Sequence, residues 1–265
     1  MIKRFSLSRC VALSLHYLQS MKRNPARFIE IIIWPSFELL LFGMLALSIH
    51  KTANASLATA INILTGVMYW NFSARVIQES VAQFLDDAFS KNIQNLFIAP
   101  FSLIELSLSL IISSIGKLCI SFIFLLSITY AFFPAFYTAL TAVNGLLLLE
   151  LIVFGASLSL FALSFIFIFG VRMSFIGWFI STILQVFSCV FFERDVLPGL
   201  LHTMSYFVPS SYIFEAFRNV VTYPLVSQQI QPVIVGLLTL YMSLSIILLQ
   251  YAFSYARRHA LLTKI

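Results

Sequence analysis

Long apolar runs alternate with short polar ones along this chain. Runs free of Asp, Glu, Lys and Arg cover residues 52–74, 118–149, 151–171, 173–192 and 219–256. Each exceeds the ~18 residues that mark a membrane-spanning helix. No stretch alternates apolar and polar residues at period two, which argues against a transmembrane barrel. Read with their Pro, Gly and charged boundaries, the runs predict six spans, at about 28–49, 57–77, 103–131, 139–169, 174–192 and 233–255. The expected fold class is all-α: a polytopic integral membrane protein forming one transmembrane domain over 1–265.

Three segments do not fit a simple span. Residues 1–27 hold Leu7, Val11, Leu18, Cys10, Tyr17 and Met21 on one helical side, with Arg9, His16 and Gln19 elsewhere. That pattern predicts an N-terminal interfacial helix lying on the membrane. Residues 79–100 are periodic too. Val81, Phe84, Leu85, Ala88, Phe89, Ile93, Leu96 and Phe97 recur at helical spacing, opposite Gln83, Asp86, Asp87, Ser90, Lys91, Gln94 and Asn95, until Pro100 stops the helix. An amphipathic helix between two spans suits the membrane surface, a groove on a soluble partner, or a surface-lying linker. Residues 193–224, with Pro198, Pro209 and Pro224 among scattered charges, are too polar to span and too apolar for an ordinary loop. They predict short re-entrant helices before the last span, covered by protein.

Composition agrees with the pattern: 60% of residues are hydrophobic, 10% are charged, and mean hydropathy is +0.98. Soluble domains carry roughly 25% charged residues. The net charge of +6 is a topology signal and not a nucleic-acid footprint, because the basic residues gather at the two ends. Of the 16 Lys and Arg, 12 fall on the side of the termini and the 79–100 helix, against Lys51, Arg194 and Arg218 on the other. Both termini and that helix are therefore expected in the cytoplasm. Residues 1–20 lack a signal-peptide core and cleavage site, so the amino end is expected to be retained.

Candidate chemistry is sparse. His16, His50, His202 and His259 are isolated, no HExxH or GxSxG occurs, and Gly116-Lys117 lacks the rest of a P-loop. Cys10, Cys119 and Cys189 form no CxxC pair and read as small core residues. No catalytic or metal site is expected. The informative residues are charges inside apolar runs: Glu38, Lys117 and Glu150, each costing at least ~2.5 kcal/mol if unpaired. Lys117 lies ~21 Å and Glu150 ~17 Å from the short turn joining the third and fourth spans. That common depth predicts a buried Lys117–Glu150 ion pair. Arg75 and Glu105 are expected at the cytoplasmic interface, Glu193, Arg194 and Asp195 in a solvated turn, and Glu215 with Arg218, one turn on, as a local pair.

The order of RNPARFIEIIIWPSFELLLFG, LFIAPFSLIE, FSCVFFERDVLPGLL and VPSSYIFEAFRNV resembles the type-2 ABC export permeases, over essentially the whole chain. The resemblance implies six spans per subunit, a homodimer, two ATPase subunits on separate chains, and a location in a bacterial inner membrane. ATP and Mg would then sit on the partner ATPase, with no cofactor on this chain. It also makes 79–100 a cytoplasmic coupling helix, whose Phe84, Leu85, Asp86, Asp87, Phe89 and Lys91 would meet the ATPase. Pro198, Pro209, Glu215 and Arg218 would belong to re-entrant helices capping the outer mouth. Lys117 and Glu150 match no motif of that family.

The function expected is thus export of an amphipathic substrate: a polysaccharide or lipid-linked glycan, or a hydrophobic drug. Its pathway would be lined by spans one, two and five, through Glu38, Tyr69, Trp70, Asn71, Trp178 and Gln185. Those aromatic and amide side chains suit sugars or rings, and equally an interfacial belt or packing. Two rivals stay open: a secondary transporter driven by an ion gradient, which favours inverted repeats not visible here, and a non-transporting scaffold that recruits a soluble partner.

Overall fold

Local signals in the sequence set where the helices begin. Pro25 opens one, Ser56 accepts the backbone N–H of Thr59 at the start of another, and Ser102 with Glu105 forms a reciprocal capping box. The computed structural model describes residues 5–52, 56–90, 101–134, 145–219 and 224–259. Its helices in chain order are α1 (Leu7–Arg23), α2 (Pro25–Thr52), α3 (Leu57–Phe89), α4 (Leu103–Phe132), α5 (Gly145–Phe169), α6 (Ile176–Phe187), α7 (Gly199–Ser205), α8 (Pro209–Asn219) and α9 (Pro224–Arg258). Among the described residues there is no strand.

Four helices contain stretches long and apolar enough to cross a membrane: Arg27–Thr52, Leu103–Phe132, Gly145–Phe169 and Gln229–Arg258. The other two expected spans differ. α6 has 12 residues, about 18 Å, against a hydrocarbon core of ~30 Å. It stops because Cys189 takes a positive φ of 53°, which turns the chain. α3 departs the opposite way. Its 33 residues run unbroken for about 50 Å, so no separate helix starts at Glu79. The residues expected to form the first half of that helix are the end of α3, and 91–100 lie outside the described residues.

α3 is the axis of the bundle, packed against α2, α4, α5 and α6. Small residues permit the close approaches, as between helices in lipid. A Cβ on Gly155 of α5 would stand 2.7 Å from the Ser73 carbonyl oxygen of α3. Beside it the Ser73 hydroxyl donates to the Leu151 carbonyl at 2.7 Å. Pro35, inside α2, leaves the Ile31 carbonyl without its helical donor, and Ser121 of α4 supplies one at 3.2 Å.

Two apolar clusters pack along α3. One gathers Leu64, Met68, Trp70, Leu151, Phe154 and Phe214. The other gathers Tyr17, Val81, Phe84, Leu163, Phe167 and Ala252. A buried polar layer separates them: Glu79, Ser80 and Gln83 of α3 with Ser113, Ser114 and Lys117 of α4. Gln83 donates to Ser114 at 3.0 Å and accepts from Ser113, and Ser80 and Ser114 share a hydrogen bond at 3.0 Å.

The tight α3–α5 contact yields a prediction. Gly155→Leu forces the helices apart and should destabilise the protein by about 1–3 kcal/mol, the usual range for overpacking. Thermal unfolding in detergent should register it, and an unchanged midpoint would mean that α3 and α5 are not packed this closely.

Candidate functional site

On α3 the residues Trp70, Asn71, Ala74, Arg75 and Gln78 follow one stripe at helical spacing. They face Trp34, Phe37, Glu38, Leu41 and Phe42 of α2, and Trp178, Ser181, Thr182 and Gln185 of α6. Together these side chains enclose a cleft of about 250 Å³. It holds five of the six residues named from the sequence as pathway candidates: Glu38, Trp70, Asn71, Trp178 and Gln185. Tyr69 is not among them. About 100° around α3 from Trp70, its ring stacks on Phe217 at 4.5 Å.

Hydrogen bonds tie the three walls together. Gln185 donates to Glu38 at 3.0 Å, linking α6 to α2, and Gln78 donates to the Ser181 hydroxyl at 2.9 Å, linking α3 to α6. Trp34 and Trp178 meet edge to face, with ring centroids 5.0 Å apart. Not every polar atom is satisfied. Asn71 Oδ1, Gln78 Oε1 and Arg75 Nε are buried without a hydrogen-bond partner. Such orphans are rare in folded proteins and need a reason.

Arg75 is not interfacial, as its sequence position suggested, but 3% exposed, because α3 continues past it instead of ending there. Its guanidinium lies 4.0 Å from Glu79, whose other oxygen accepts from Lys117 Nζ at 3.2 Å. The expected Lys117–Glu150 pair is therefore not formed. Equal depth along two helices does not fix rotation. Lys117 faces α3, while Glu150 turns toward α9 and accepts from Gln231. Glu79 is the buried partner of both cations that sequence reading missed. Its signal was the i, i+4 spacing from Arg75, within a segment taken as polar linker.

At the cytoplasmic-side end expected from charge, most of the coupling residues are already occupied. Phe84 and Leu85 are buried in the protein's own core, Phe84 against the Phe167 ring. Asp87 accepts from the Tyr17 hydroxyl at 2.7 Å, and Asp86 pairs with Arg27 at 3.2 Å. Burial, reinforced by the Asp87 carboxylate, pushes the Tyr17 phenol far above its ordinary range, so it remains a donor. The docking face that the family resemblance implied is thus corrected for Phe84, Leu85 and Asp87, which are buried against α1 and α5. Phe89 is 64% exposed, and Lys91 lies outside the described residues. Glu105 caps α4 and also holds α1: it accepts from the Ser6 and Ser102 backbone N–H groups, each at 2.7 Å, and pairs with Arg9 at 3.1 Å.

The segment before α9 is knit by Arg194, not by a Glu215–Arg218 pair. Arg194 bonds Glu215 at 3.1 Å and Ser211 at 3.0 Å, sandwiched 4.3 Å from the Tyr206 and Tyr212 rings. Arg218 instead donates to the Cys189 carbonyl at 2.8 Å, bracing the turn that ends α6. Pro198 caps α7 and Pro209 opens α8.

The family model of the ABC-2 type transporter matches residues 9–222, which include every wall of the cleft. The chain belongs to the ABC-2 type transporter family. No curated protein matches it. It is accordingly a multi-pass membrane permease of an ABC transporter, from a family whose permeases partner with ABC ATPase subunits. In this ABC-2 permease a second recess, of about 520 Å³, opens between α5, α6 and α9. Its lining, from Leu158 and Phe179 to Leu240, is almost wholly apolar, with no converging polar groups to orient a ligand. The smaller polar cleft is the better candidate site.

The Glu79–Lys117 pair gives the prediction here. Lys117→Met alone leaves Glu79 buried with one cation fewer and should cost ~3 kcal/mol or more. Combining it with Glu79→Gln should recover part of that loss, whereas combining it with Glu150→Gln should recover none. Folded yield and thermal midpoints of the three variants check it; rescue by Glu150→Gln would restore the pairing rejected above.

Proposed function

We propose that this ABC-2 permease is the membrane subunit of an ATP-driven exporter of an amphipathic substrate, working as a homodimer with two ATPase subunits. Six crossings per subunit are proposed: the four apolar helices, α3, and α6 together with the residues that follow it. α3 can cross despite its charges because Arg75 and Glu79 are buried among protein side chains and not offered to lipid. α7 and α8 would lie re-entrant in the outer leaflet, with both termini and Phe89 on the cytoplasmic side of a bacterial inner membrane. No catalytic step is assigned to this chain, and ATP with Mg would be held by the ATPase.

One observation carries this reading. A single uninterrupted helix bears both the cleft stripe Trp70–Gln78 and the exposed Phe89. From Gln78 to Phe89 is about 17 Å of rigid helix. A push from a closing ATPase on the Phe89 end would therefore move the cleft wall itself, and shift the dimer between inward- and outward-facing states. α1, keyed to that end through Tyr17–Asp87, would move with it.

Phe89→Asp tests the coupling. The co-reconstituted permease and ATPase should keep hydrolysing ATP while export falls at least tenfold, with insertion of the permease unaffected. Normal export by that variant would make the end of α3 a mere linker. Orientation has its own check. Single cysteines at 51 and 194 should react with an impermeant maleimide in intact cells, and those at 91 and 172 should not; the reverse pattern overturns the topology.

A further inference from the structure

Two opposite charges line the cleft on different walls, Glu38 on α2 and Arg75 on α3, and they are not joined to each other. Glu38 accepts from the Gln185 amide at 3.0 Å, and among the described residues no cation stands within ion-pair distance of it. Arg75 is little better matched. The carboxylate that reaches it, Glu79, lies 4.0 Å away and is also held by Lys117 at 3.2 Å, while Arg75 Nε is buried with no acceptor. Glu38, Arg75, Glu79 and Lys117 together carry no net charge, yet each wall of the cleft bears a charge without a close partner. A buried charge in that condition is costly. A lone anion would satisfy Arg75 but meet the Glu38 carboxylate, and a lone cation would do the reverse. A ligand carrying both charges satisfies both walls and leaves the sum at zero.

The other unused groups favour one kind of cation. Asn71 Oδ1 and Gln78 Oε1 are buried acceptors without a donor, on residues only 3% and 9% exposed. With the Glu38 carboxylate they make three acceptors lining one cleft, and a primary ammonium has three N–H donors and no acceptor. Trp34 lies one helical turn from Glu38 on α2 and meets Trp178 of α6 edge to face. Indole faces attract an ammonium more strongly than other aromatic rings do. On the α3 wall the free Nε of Arg75 is a donor suited to an oxyanion, the partner with which a guanidinium forms its strongest hydrogen bonds. The volume of about 250 Å³ lies below the ~300 Å³ at which sites for whole drug-sized ligands begin, so the cleft takes a headgroup and not an entire amphipathic molecule.

We infer, on the reading that the cleft belongs to the transport pathway, that it binds a zwitterionic group: a primary ammonium linked through a few atoms to an oxyanion, as in an ethanolamine phosphodiester. The ammonium meets Glu38, Asn71 and Gln78 beside the two indoles, and the oxyanion meets Arg75. Binding is measured at equilibrium without ATPase. Its failure would therefore leave the coupling of α3 to the ATPase standing, and failed coupling would leave a measured affinity standing.

The chain has three tryptophans, Trp34, Trp70 and Trp178, and all line the cleft, so intrinsic emission reports on this site alone. The full-length permease in a non-ionic polyoxyethylene detergent is titrated with glycerophosphoethanolamine, glycerophosphoglycerol, ethanolamine and glycerol. These present the zwitterion, the anion alone, the cation alone and neither charge. The expected result is a saturable emission change with glycerophosphoethanolamine, half-saturating at least tenfold lower than the other three, the effect of one charge-assisted hydrogen bond. Hexanoyl-lysophosphatidylethanolamine, below its micellar concentration, identifies the source. Tighter binding than the free headgroup makes the ligand a lipid, equal binding makes it a soluble zwitterion, and both uphold the site. Glu38→Gln preserves the side chain's shape at a half-buried position. It should weaken glycerophosphoethanolamine at least tenfold and reverse the order, so that glycerophosphoglycerol binds more tightly. Arg75→Gln should reverse it the other way, toward ethanolamine. A structural role alone would weaken every probe alike. Thermal unfolding verifies that each variant is folded, and if Arg75→Gln does not fold, the reversal in Glu38→Gln decides by itself. Tightest binding of glycerophosphoglycerol, ethanolamine or glycerol to the unaltered permease overturns the inference. So does the absence of saturation by glycerophosphoethanolamine, or an unreversed order in Glu38→Gln.

Discussion

Removing a carboxylate and an ammonium from water costs several kcal/mol for each ion, and a bundle tolerates them only when each finds the other in good geometry. Glu79 and Lys117 meet that condition across the α3–α4 contact. Because a mispaired charge is so unfavourable, the pair fixes how far α3 can slide and turn against α4. The neighbouring Ser80, Gln83, Ser113 and Ser114 bonds add direction. With rotation set, the rest of α3 follows. Asn71, Arg75 and Gln78 fall toward α2 and α6 to form the cleft, while Phe84 falls toward Phe167 in the second core. A one-residue register error would turn α3 by about 100° and aim the stripe at another neighbour.

The buried layer also explains why α3 stays continuous. A helix with Arg75, Glu79, Gln83, Asp86 and Asp87 looks interrupted by hydropathy alone. Yet Arg75, Glu79, Gln83 and Asp87 are all buried with protein partners, so its polar face points inward for much of its length. That inverts the amphipathicity of a surface helix. Close contacts complete the arrangement, with Gly155 against Ser73 on one side and Gly177 near Val81 on another.

Much of this was legible beforehand, and the misses share a cause. The starts expected near 57 and 103 coincide with those of α3 and α4, where the Ser56 and Ser102 caps act within a few residues, whereas α9 begins at Pro224, nine residues before the start expected at 233. Glu38, Trp70, Asn71, Trp178 and Gln185 were linked as the charged, aromatic and amide side chains of spans one, two and five expected to line a pathway, and packing does bring them together. What failed required rotation about a helix axis. Lys117 and Glu150 agree in depth but face different neighbours, and Tyr69, about 100° around α3 from Trp70, falls outside the cleft. Glu79 was overlooked because hydropathy averages a polar residue into its surroundings, whereas its partner lies 38 positions along the chain. Helix length escaped for a related reason. α6 ends at a turn that Arg218 braces from 29 residues away, which no local signal announces.

The two ends of α3 are held unequally, and that asymmetry bears on how the proposed transport cycle could work. Near its first turns Gly66 admits the Val190 backbone so closely that a Cβ would meet its oxygen at 2.3 Å, and Tyr69 stacks on Phe217. These are packed contacts with no small displacement available, as in any interior at crystal-like density. At the other end Arg27–Asp86 is half exposed, and pairs of that kind are worth ~0–1 kcal/mol. Tyr17–Asp87 is buried but is a single hydrogen bond. Phe84, one turn earlier, is nevertheless buried against Phe167, so the weakly held part of α3 is confined to its last turn, around Asp86 and the exposed Phe89.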